Sequence, residues 1–316
     1  MLEKQEDSGS LDEPDSWTKK GWLNVEIKHK PIFGRYFSEI KNPISDYSFA
    51  ACYMWADVIK LKWKIIDEHL CVLSTAGNEA SLMLPPIGSL NDYTSILDQL
   101  TELCEQRNSL EVEYISSEFV SLFDNAVEDS GDYIYETAQL ISFEGPELAS
   151  KRQAKNRFIR RYSNILTLPY EDNYFNDCEK LMKVWEQQGY SHEEQNIIDF
   201  KRSKDISATK QAMKNHKDLG LKGMVLFAEN KIIGFTFGEL LKQDTCNILI
   251  EKTDKTFAGS AAYIYNEFCK QYWGNTQFCN AGDDWNIPSL AWTKESYNPA
   301  YRLKKYKAKI EAAVYA

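Results

Sequence analysis

The sequence is poor in residues that bind metals or form disulfide bridges. It has four histidines, none at metal-ligand spacing, and seven cysteines, an odd number with no C-x-x-C pair. These spacings support neither a zinc site nor a disulfide framework. We therefore expect buried thiols in a reducing cytoplasm, and no metal or other cofactor held by the protein.

Long apolar runs are also missing. No run approaches the roughly 18 residues that a membrane-spanning helix needs, and the first ten residues, MLEKQEDSGS, lack the basic head and apolar run of an export signal. Residues 1–16 are acidic and polar, which predicts a disordered leader. The rest has ordinary globular composition, so we expect a cytoplasmic protein without an integral membrane segment.

Basic residues are scarce in the first half of the chain. Residues 1–150 hold 11 Lys and Arg against 27 Asp and Glu, whereas residues 151–316 hold 26 against 20, so the net charges are −16 and +6. A basic surface concentrates anionic ligands, so this asymmetry bears on the binding partner.

Two clusters in the second half contain basic residues and no acid: KRQAKNRFIRR at 151–161 and RLKKYKAK at 302–309. We predict that the first cluster forms one basic face with the C-terminal segment, through Lys151, Arg152, Arg157 and Arg160. The alternative is that both clusters are solvated surfaces without a partner.

The predicted elements follow the same order in both halves. Each half has a three-stranded meander followed by helix, strand and helix, and the second meander covers 222–254. We therefore predict an α+β fold of two tandem domains, residues 17–145 and 146–316, joined near 143–148. Each domain is expected to be a mixed, mostly antiparallel sheet flanked by helices.

Three segments carry a resemblance to a known family: DYIYETAQLISFEGPELASKRQAKNRFIRRY, GFTFGELLKQDTCNILIEKTD and SYNPAYRLKKYKA. They resemble conserved blocks of the phosphatidylglycerol lysyltransferase C-terminal-like family, whose proteins have tandem GNAT-like (acyl-CoA N-acyltransferase-like) domains. Relatives include aminoacyl-phosphatidylglycerol synthases and, more distantly, Fem-type aminoacyltransferases. The resemblance implies transfer of an aminoacyl group from aminoacyl-tRNA to an amine or hydroxyl of a small molecule or peptide.

The chain departs from the family pattern at two places. Gln153 replaces the first Asn of the basic helix, whereas Asn156 and Phe158 remain. DKTF, at 254–257, stands where the lipid-modifying synthases carry D-x-x-R, and the missing arginine argues against a lipid acceptor. By its place in the family pattern, the basic helix supplies Asn156 and Arg157 as candidate substrate-binding residues.

Acyl transfer from an activated ester needs a base and a positive group for the developing oxyanion. A carboxylate that ends a central strand is costly to bury unless it is paired or faces a cleft, so Glu251 and Asp254 are the candidate catalytic carboxylates. The alternative is that they only pair with nearby lysines. Glu239, on the neighbouring predicted strand, is a candidate substrate-binding residue.

Strand periodicity bears on the direction of Glu251. Strict alternation puts Ile248 and Ile250 on one face of the strand, and Leu249 and Glu251 on the other. We therefore expect Glu251 to face away from both isoleucines.

Lys294 and Lys305 are the candidate electropositive residues, by their family positions. Pro299 biases Asn298 toward an extended conformation, so YNP is predicted to be a turn that returns the last strand across the sheet. The turn would bring both lysines toward the cleft of Glu251 and Asp254.

The donor-binding residues are less clearly marked. The turn TDKTFAGSAA has one glycine and no arginine before it, so it is a poor pyrophosphate loop. Gly259 and Ser260 are candidates there, or they only let a helix begin close to a strand. Tyr297 is a candidate for stacking on tRNA bases, or it packs the last strand.

The sequence leaves three functions open. The first is an aminoacyl-tRNA-dependent transferase, which the basic clusters favour because polyanion affinity comes mainly from Lys and Arg. The second is an N-acyltransferase that uses acyl-CoA, which the poor glycine loop disfavours. The third is a non-catalytic binding protein on the same fold.

Overall fold

A computed structural model describes residues 15–76, 80–101, 109–187 and 195–311. Most of the predicted leader, residues 1–14, lies outside these residues. The strands are β1 (Leu23–Asn24), β2 (Leu61–Ile66), β3 (His69–Ser74), β4 (Ser81–Leu82), β5 (Ser109–Ser116), β6 (Val127–Glu136), β7 (Leu166–Pro169), β8 (Lys222–Ala228), β9 (Lys231–Lys242), β10 (Thr245–Thr253), β11 (Phe278–Asn280) and β12 (Tyr301–Glu311).

Eleven α-helices accompany these strands in the described residues. They are α1 (Ser16–Lys19), α2 (Lys30–Ser38), α3 (Phe49–Trp55), α4 (Tyr93–Thr101), α5 (Thr137–Ser142), α6 (Ala149–Arg161), α7 (Phe175–Gln187), α8 (Gln195–Lys214), α9 (His216–Leu219), α10 (Ser260–Tyr272) and α11 (Pro288–Glu295).

One 12-stranded sheet runs through the described part of the chain, in the order β1-β2-β3-β4-β5-β12-β6-β11-β10-β9-β8-β7. The last strand, β12, is antiparallel to both β5 and β6, and β6 is also antiparallel to β11. A strand from each sequence half is thus inserted among strands of the other half. The domain boundary predicted near residue 145 falls between α5 and α6 and stays a prediction.

Local sequence explains the tight turns of the sheet. Asp67 and Glu68 connect β2 to β3, and Glu229 and Asn230 connect β8 to β9, all with positive φ. Two left-handed residues match the twist of a two-residue hairpin, and Asp and Asn tolerate this conformation better than most other non-glycine residues. The hairpins β2–β3 and β8–β9, parts of the two predicted meanders, are therefore present.

Two groups of buried side chains form the core. The larger group fills the first half and extends to β9 and β10, where it includes Phe235 and Ile250. The smaller group lies between the sheet and α5, α6 and α10. No helix within the described ranges is long and apolar enough to cross a bilayer.

A bulge interrupts β10 beside Glu251. The register with β9 shifts between Ile248 and Ile250, so Leu249 is an extra residue. Ile248 belongs to the smaller core group and Ile250 to the larger one. The predicted placement of both isoleucines on one face is therefore wrong, because a bulge resets the alternation of a strand.

The YNP turn also differs from its prediction in detail. Asn298 is left-handed, with φ of 55°, and not extended. Its N–H donates to Glu295 O at 2.9 Å, and the N–H of Ala300 donates to Ile134 O at 2.7 Å. The turn still directs β12 along β6, because asparagine tolerates the left-handed conformation.

Candidate active site

The central cavity, of about 360 Å³, lies where two parallel strands separate. β10 and β11 pair only from Thr245 to Asn247, after which β10 continues to Thr253 while β11 ends at Asn280. The residues directly after β11 border the cavity, as do residues on both sides of the β10 bulge, α11 and Lys305. The bulge and the parting of the strands thus open the sheet at one place.

Glu251 borders the central cavity from β10. Burial raises the pKa of its carboxyl group to about 7. The ammonium groups of Lys252, Lys151 and Lys294 oppose this rise. A carboxyl group that titrates near neutrality has the pKa of an effective general base.

Lys294 borders the same cavity from the last turn of α11. Its ammonium group donates to the backbone carbonyl of Ala281 and, at 3.2 Å, to that of Gly282. Burial lowers the pKa of Lys294 to about 8, although Asp283 and Asp132 act in the opposite direction. A partly buried cation at this position can stabilise negative charge that develops in the cavity.

Lys305 is 1% exposed and lies in a carboxylate cluster. Its Nζ is 2.5 Å from Asp46, 2.6 Å from Asp132 and 2.8 Å from Asp283. The three carboxylates are spaced closely enough to hold a metal cation, and the ammonium group of Lys305 supplies positive charge among them. Through these ion pairs, Lys305 connects β12 to Asp46 and Asp132 of the first half and to Asp283 in the loop after β11.

The pKa values within this cluster follow from burial and charge. Burial alone would lower the pKa of Lys305, but the three aspartates hold it well above its usual value. Burial raises the pKa of Asp46 to about 6. The ammonium group of Lys305 opposes this rise, whereas repulsion by Asp132 and Asp283 adds to the rise. The cluster thus keeps Lys305 charged inside the protein.

Asp254, Gly259 and Ser260 do not border the central cavity. The Asp254 carboxylate accepts from Thr256 N at 2.9 Å and from Thr256 Oγ1 at 2.7 Å, as in an Asx turn. Ser260 is buried, and its Oγ donates to Asp254 O at 3.5 Å. The cleft that we expected to join Asp254 with Glu251 therefore contains Glu251 only.

Gly259 lies where α10 begins close to α6. Its φ is 93°, and a β-carbon there would lie 2.2 Å from Ala154 O. Only glycine allows this approach of a helix start to another backbone. The residue thus has a packing position, as in the second alternative drawn from the sequence, but its neighbour is the helix α6 and not a strand.

Glu239 links the two halves beside the cavity without bordering it. Ser48 Oγ donates to its carboxylate, which joins β9 to the N-terminus of α3. Burial raises the pKa of Glu239 to about 7, although hydrogen bonds from Ser48 and Asn247 oppose the rise. These contacts indicate that Glu239 holds α3 against β9 and does not bind a ligand in the central cavity.

The basic helix α6 divides its side chains between packing and solvent. Arg152 donates to the backbone carbonyls of Phe143 and Gly145, whereas Asn156, Arg157 and Arg160 are exposed. The expected basic face therefore retains Arg157 and Arg160 and loses Arg152.

Tyr297 borders the cavity from the segment after α11. It is 9% exposed and packs edge-on against Tyr135 and Tyr265. The ammonium group of Lys151 lies 3.9 Å from its ring centroid. Tyr297 is thus a wall of the cavity and not a free surface for bases.

The lysines of β12 do not extend the basic face of α6. Lys304 lies 2.8 Å from Glu128, and Lys307 lies 2.9 Å from Asp129. Both acids belong to β6, the neighbouring strand. The prediction of a basic face formed with the C-terminal segment is wrong, because acidic strands of the first half flank β12 and neutralise its charge.

The sequence did not identify several residues that border the central cavity. Asp46 and Trp55 come from the first half, so only the fold brings them to the loop that holds Asp283 and Trp285. The segment GDDWN at 282–286 was the available signal, since a Gly-Asp-Asp run before a proline-initiated helix is typical of a structured polar turn.

Solved structures of similar fold include three that match about nine-tenths of this chain. A protein of unknown function from Bacteroides thetaiotaomicron has a TM-score of 0.79 at 24% identity, covering 91% of this chain and 98% of that chain. L-PGS from Bacillus licheniformis has a TM-score of 0.62 at 13% identity, covering 90% and 92%. A tandem GNAT protein from the clavulanic acid biosynthesis pathway has a TM-score of 0.50 at 9% identity, covering 92% and 97%.

These similarities confirm the predicted α+β, GNAT-like fold. The family model described as phosphatidylglycerol lysyltransferase, C-terminal, matches residues 37–309. The fold and the family are those of acyltransferases. Because the match covers most of the sequence, the chain belongs to the phosphatidylglycerol lysyltransferase C-terminal family.

Proposed function

We propose that the protein transfers an aminoacyl group from aminoacyl-tRNA to an amine or hydroxyl acceptor, with Glu251 as general base and Lys294 as the oxyanion ligand. One observation carries the proposal: a carboxyl group and an ammonium group, both partly buried, border one cavity of an acyltransferase fold. Lys305 has a supporting role only, because its ammonium group is held by three carboxylates.

The reaction needs one proton to move from acceptor to donor. The acceptor nitrogen or oxygen attacks the ester carbonyl carbon of the donor, and Glu251 takes the proton that the acceptor loses. The carbonyl oxygen becomes negative, and the ammonium group of Lys294 stabilises it. When the ester C–O bond breaks, the proton passes from Glu251 to the 3′ or 2′ oxygen of the tRNA.

Two features support tRNA over acyl-CoA as donor. The turn where an acetyl-CoA-dependent GNAT protein holds pyrophosphate is packed against α6 at Gly259 and Ala154. Arg157 and Arg160 of the same helix are exposed and form no ion pair with any described residue. Exposed arginines of this kind bind phosphates by displacing their counterions.

The test is transfer of radiolabelled amino acids from a charged tRNA pool to acceptors in a small-molecule extract. Glu251→Gln should lower kcat/KM by about 10²–10⁴, the usual contribution of a general base. Lys294→Met should lower it by about 10²–10³, the usual cost of losing one oxyanion donor. The matched control is Glu295→Gln, which makes the same charge change at an exposed neighbour and should retain activity.

The pH profile gives an independent readout of the same roles. Glu251 must be ionised and Lys294 protonated, so kcat/KM should rise through about pH 7 and fall above about pH 8. Glu251→Gln should lose the rising limb and Lys294→Met the falling limb. Release of free CoA from acetyl-CoA with no use of charged tRNA would contradict the proposal in favour of acyl-CoA. Loss of neither limb would assign the base and the oxyanion ligand to other residues, and absence of transfer by the wild-type protein would indicate a non-catalytic binding protein.

A further inference from the structure

A second cavity, of about 330 Å³, adjoins the central cavity. We call it the acidic cavity. Five residues border both cavities and form their shared wall: Asp46, Trp55, Met83, Asp283 and Trp285. A ligand in the acidic cavity would thus be separated from the central cavity by this wall alone.

Negative charge dominates the acidic cavity. Glu113 and Asp129 join Asp46 and Asp283 in its lining, where Lys204 is the only ammonium group among the described residues. Lys307 pairs with Asp129, and Lys305 is shared by Asp46, Asp283 and the buried Asp132. Lys294 also acts on Asp283 and Asp132. Five carboxylates thus meet four ammonium groups, an excess of one negative charge that favours cations over phosphates.

Aromatic rings cover the rest of the acidic cavity. Trp55 and Trp285 pack edge to face with their ring centroids 6.1 Å apart, and Tyr114 lies in the same lining. Such rings attract organic cations through their negative faces. Tyr114 and Trp285 have φ of 47° and 52°, a conformation that is costly for aromatic residues.

One residue of the central cavity, Asn247, has a side-chain oxygen that accepts no hydrogen bond from the described residues. Asn247 is completely buried and borders the central cavity. Its Nδ2 donates to Ser45 O at 3.3 Å, but its Oδ1 accepts no hydrogen bond from any described residue. An unsatisfied buried acceptor is costly, and an N–H donor on a ligand would satisfy it.

We propose that the acceptor is a diamine or polyamine, with one ammonium group in the acidic cavity and the reacting amine against Asn247 Oδ1 in the central cavity. This inference rests on the proposed function, whose acceptor it specifies. The reacting amine forms the new N–C bond as the ester C–O bond breaks, and the proton lost by the nitrogen passes by way of Glu251 to the tRNA oxygen. The excess of carboxylates excludes an anionic lipid headgroup from this place.

The test is isothermal titration of the full chain with 1,4-diaminobutane at low salt and pH 7, with no donor present. Glu113→Gln should weaken binding about tenfold or more, because it removes a partly buried charge partner of the ligand. The matched control is Glu111→Gln, two residues away on β5, whose exposed side chain lies 3.7 Å from Lys309. The control should bind like the wild type.

Butylamine and glycerol phosphate complete the experiment. Butylamine lacks the second ammonium group and should bind at least about tenfold more weakly than the diamine, and glycerol phosphate should not compete. Failure of the diamine to bind, equal binding by both glutamine variants, or competition by glycerol phosphate would each overturn the inference. Diamine binding without aminoacyl transfer would count against the proposed function alone, because the titration needs no donor.

Discussion

The ammonium group of Lys305 is the counter-charge for three buried carboxylates, so removing it should be costly. Lys305→Met would leave Asp46, Asp132 and Asp283 facing one another within a few ångströms. Removing one partner of a buried ion pair typically costs about 3–5 kcal/mol. We therefore expect the unfolding free energy in urea at pH 7 to fall by about that amount.

The matched control is the adjacent residue on β12. Lys304 lies 2.8 Å from Glu128, and both side chains are more than half exposed. Exposed pairs contribute about 0–1 kcal/mol, so Lys304→Met should leave the urea midpoint nearly unchanged. Equal and small losses in both variants would mean that the carboxylate cluster does not depend on Lys305.

At the residue scale, the sequence argument for a carboxylate at a cleft fits the position of Glu251 but not that of Asp254, and the catalytic roles of Glu251 and Lys294 stay predictions. Glu251 was expected at a cleft because a carboxylate ending a central strand needs one, and Lys294 by its family position; both border the central cavity. The partners of Lys305 could not be predicted, since Asp46 and Asp132 reach it only because β12 is inserted among strands of the first half.

The contact of α6 with α10 depends on one missing side chain. Gly259→Ala would place a β-carbon 2.2 Å from Ala154 O, a backbone atom that cannot rotate away. Overpacking of this kind costs about 1–3 kcal/mol, on top of the strain of a left-handed alanine. We expect the variant to lower the melting temperature and to loosen the packing of α6.

The variant Gly21→Ala separates the cost of overpacking from the cost of a left-handed alanine. Gly21 has φ of 84°, close to that of Gly259, but a β-carbon there would meet its nearest atom at 3.7 Å. This control should show the cost of the left-handed conformation alone, about 1–2 kcal/mol. If the two variants are equally stable, the close approach of the helices contributes nothing.

Hairpins and helix starts were predictable because short-range chemistry determines them. Glu229 and Asn230 form the turn that their sequence indicates, and Pro288 opens α11. The bulge at Leu249 and the left-handed Asn298 were not predictable, since both are imposed by the neighbouring strands. Tertiary pairing overrides local preference at these two places.

At the scale of the whole molecule, the opposite charges of the two sequence halves meet within one sheet. The basic β12 lies between β5 and β6, and its exposed lysines pair with Glu111, Glu128 and Asp129 of these strands. The net charge of a sequence segment therefore does not indicate the charge of the surface on which it lies.

This arrangement predicts which basic residues bind tRNA. The double variant Arg157→Gln, Arg160→Gln should weaken binding and reduce the slope of log K against log salt concentration by about 2, because each arginine displaces about one counterion. The measurement is filter binding of tRNA over a range of salt concentrations. Lys304→Gln, Lys307→Gln is the matched control and should leave both affinity and slope unchanged. The opposite result would place the nucleic acid on β12 instead of α6.

The position of β12 also constrains when the protein can fold. Lys309 bonds to Asn125 across 184 residues of sequence, and β12 leaves the ribosome after every other described strand. Until then, β5 and β6 have no strand between them and expose unpaired edges, which are prone to aggregation. Nascent chains are therefore expected to need holdase chaperones until β12 is complete, and the sheet to close only after translation of that strand.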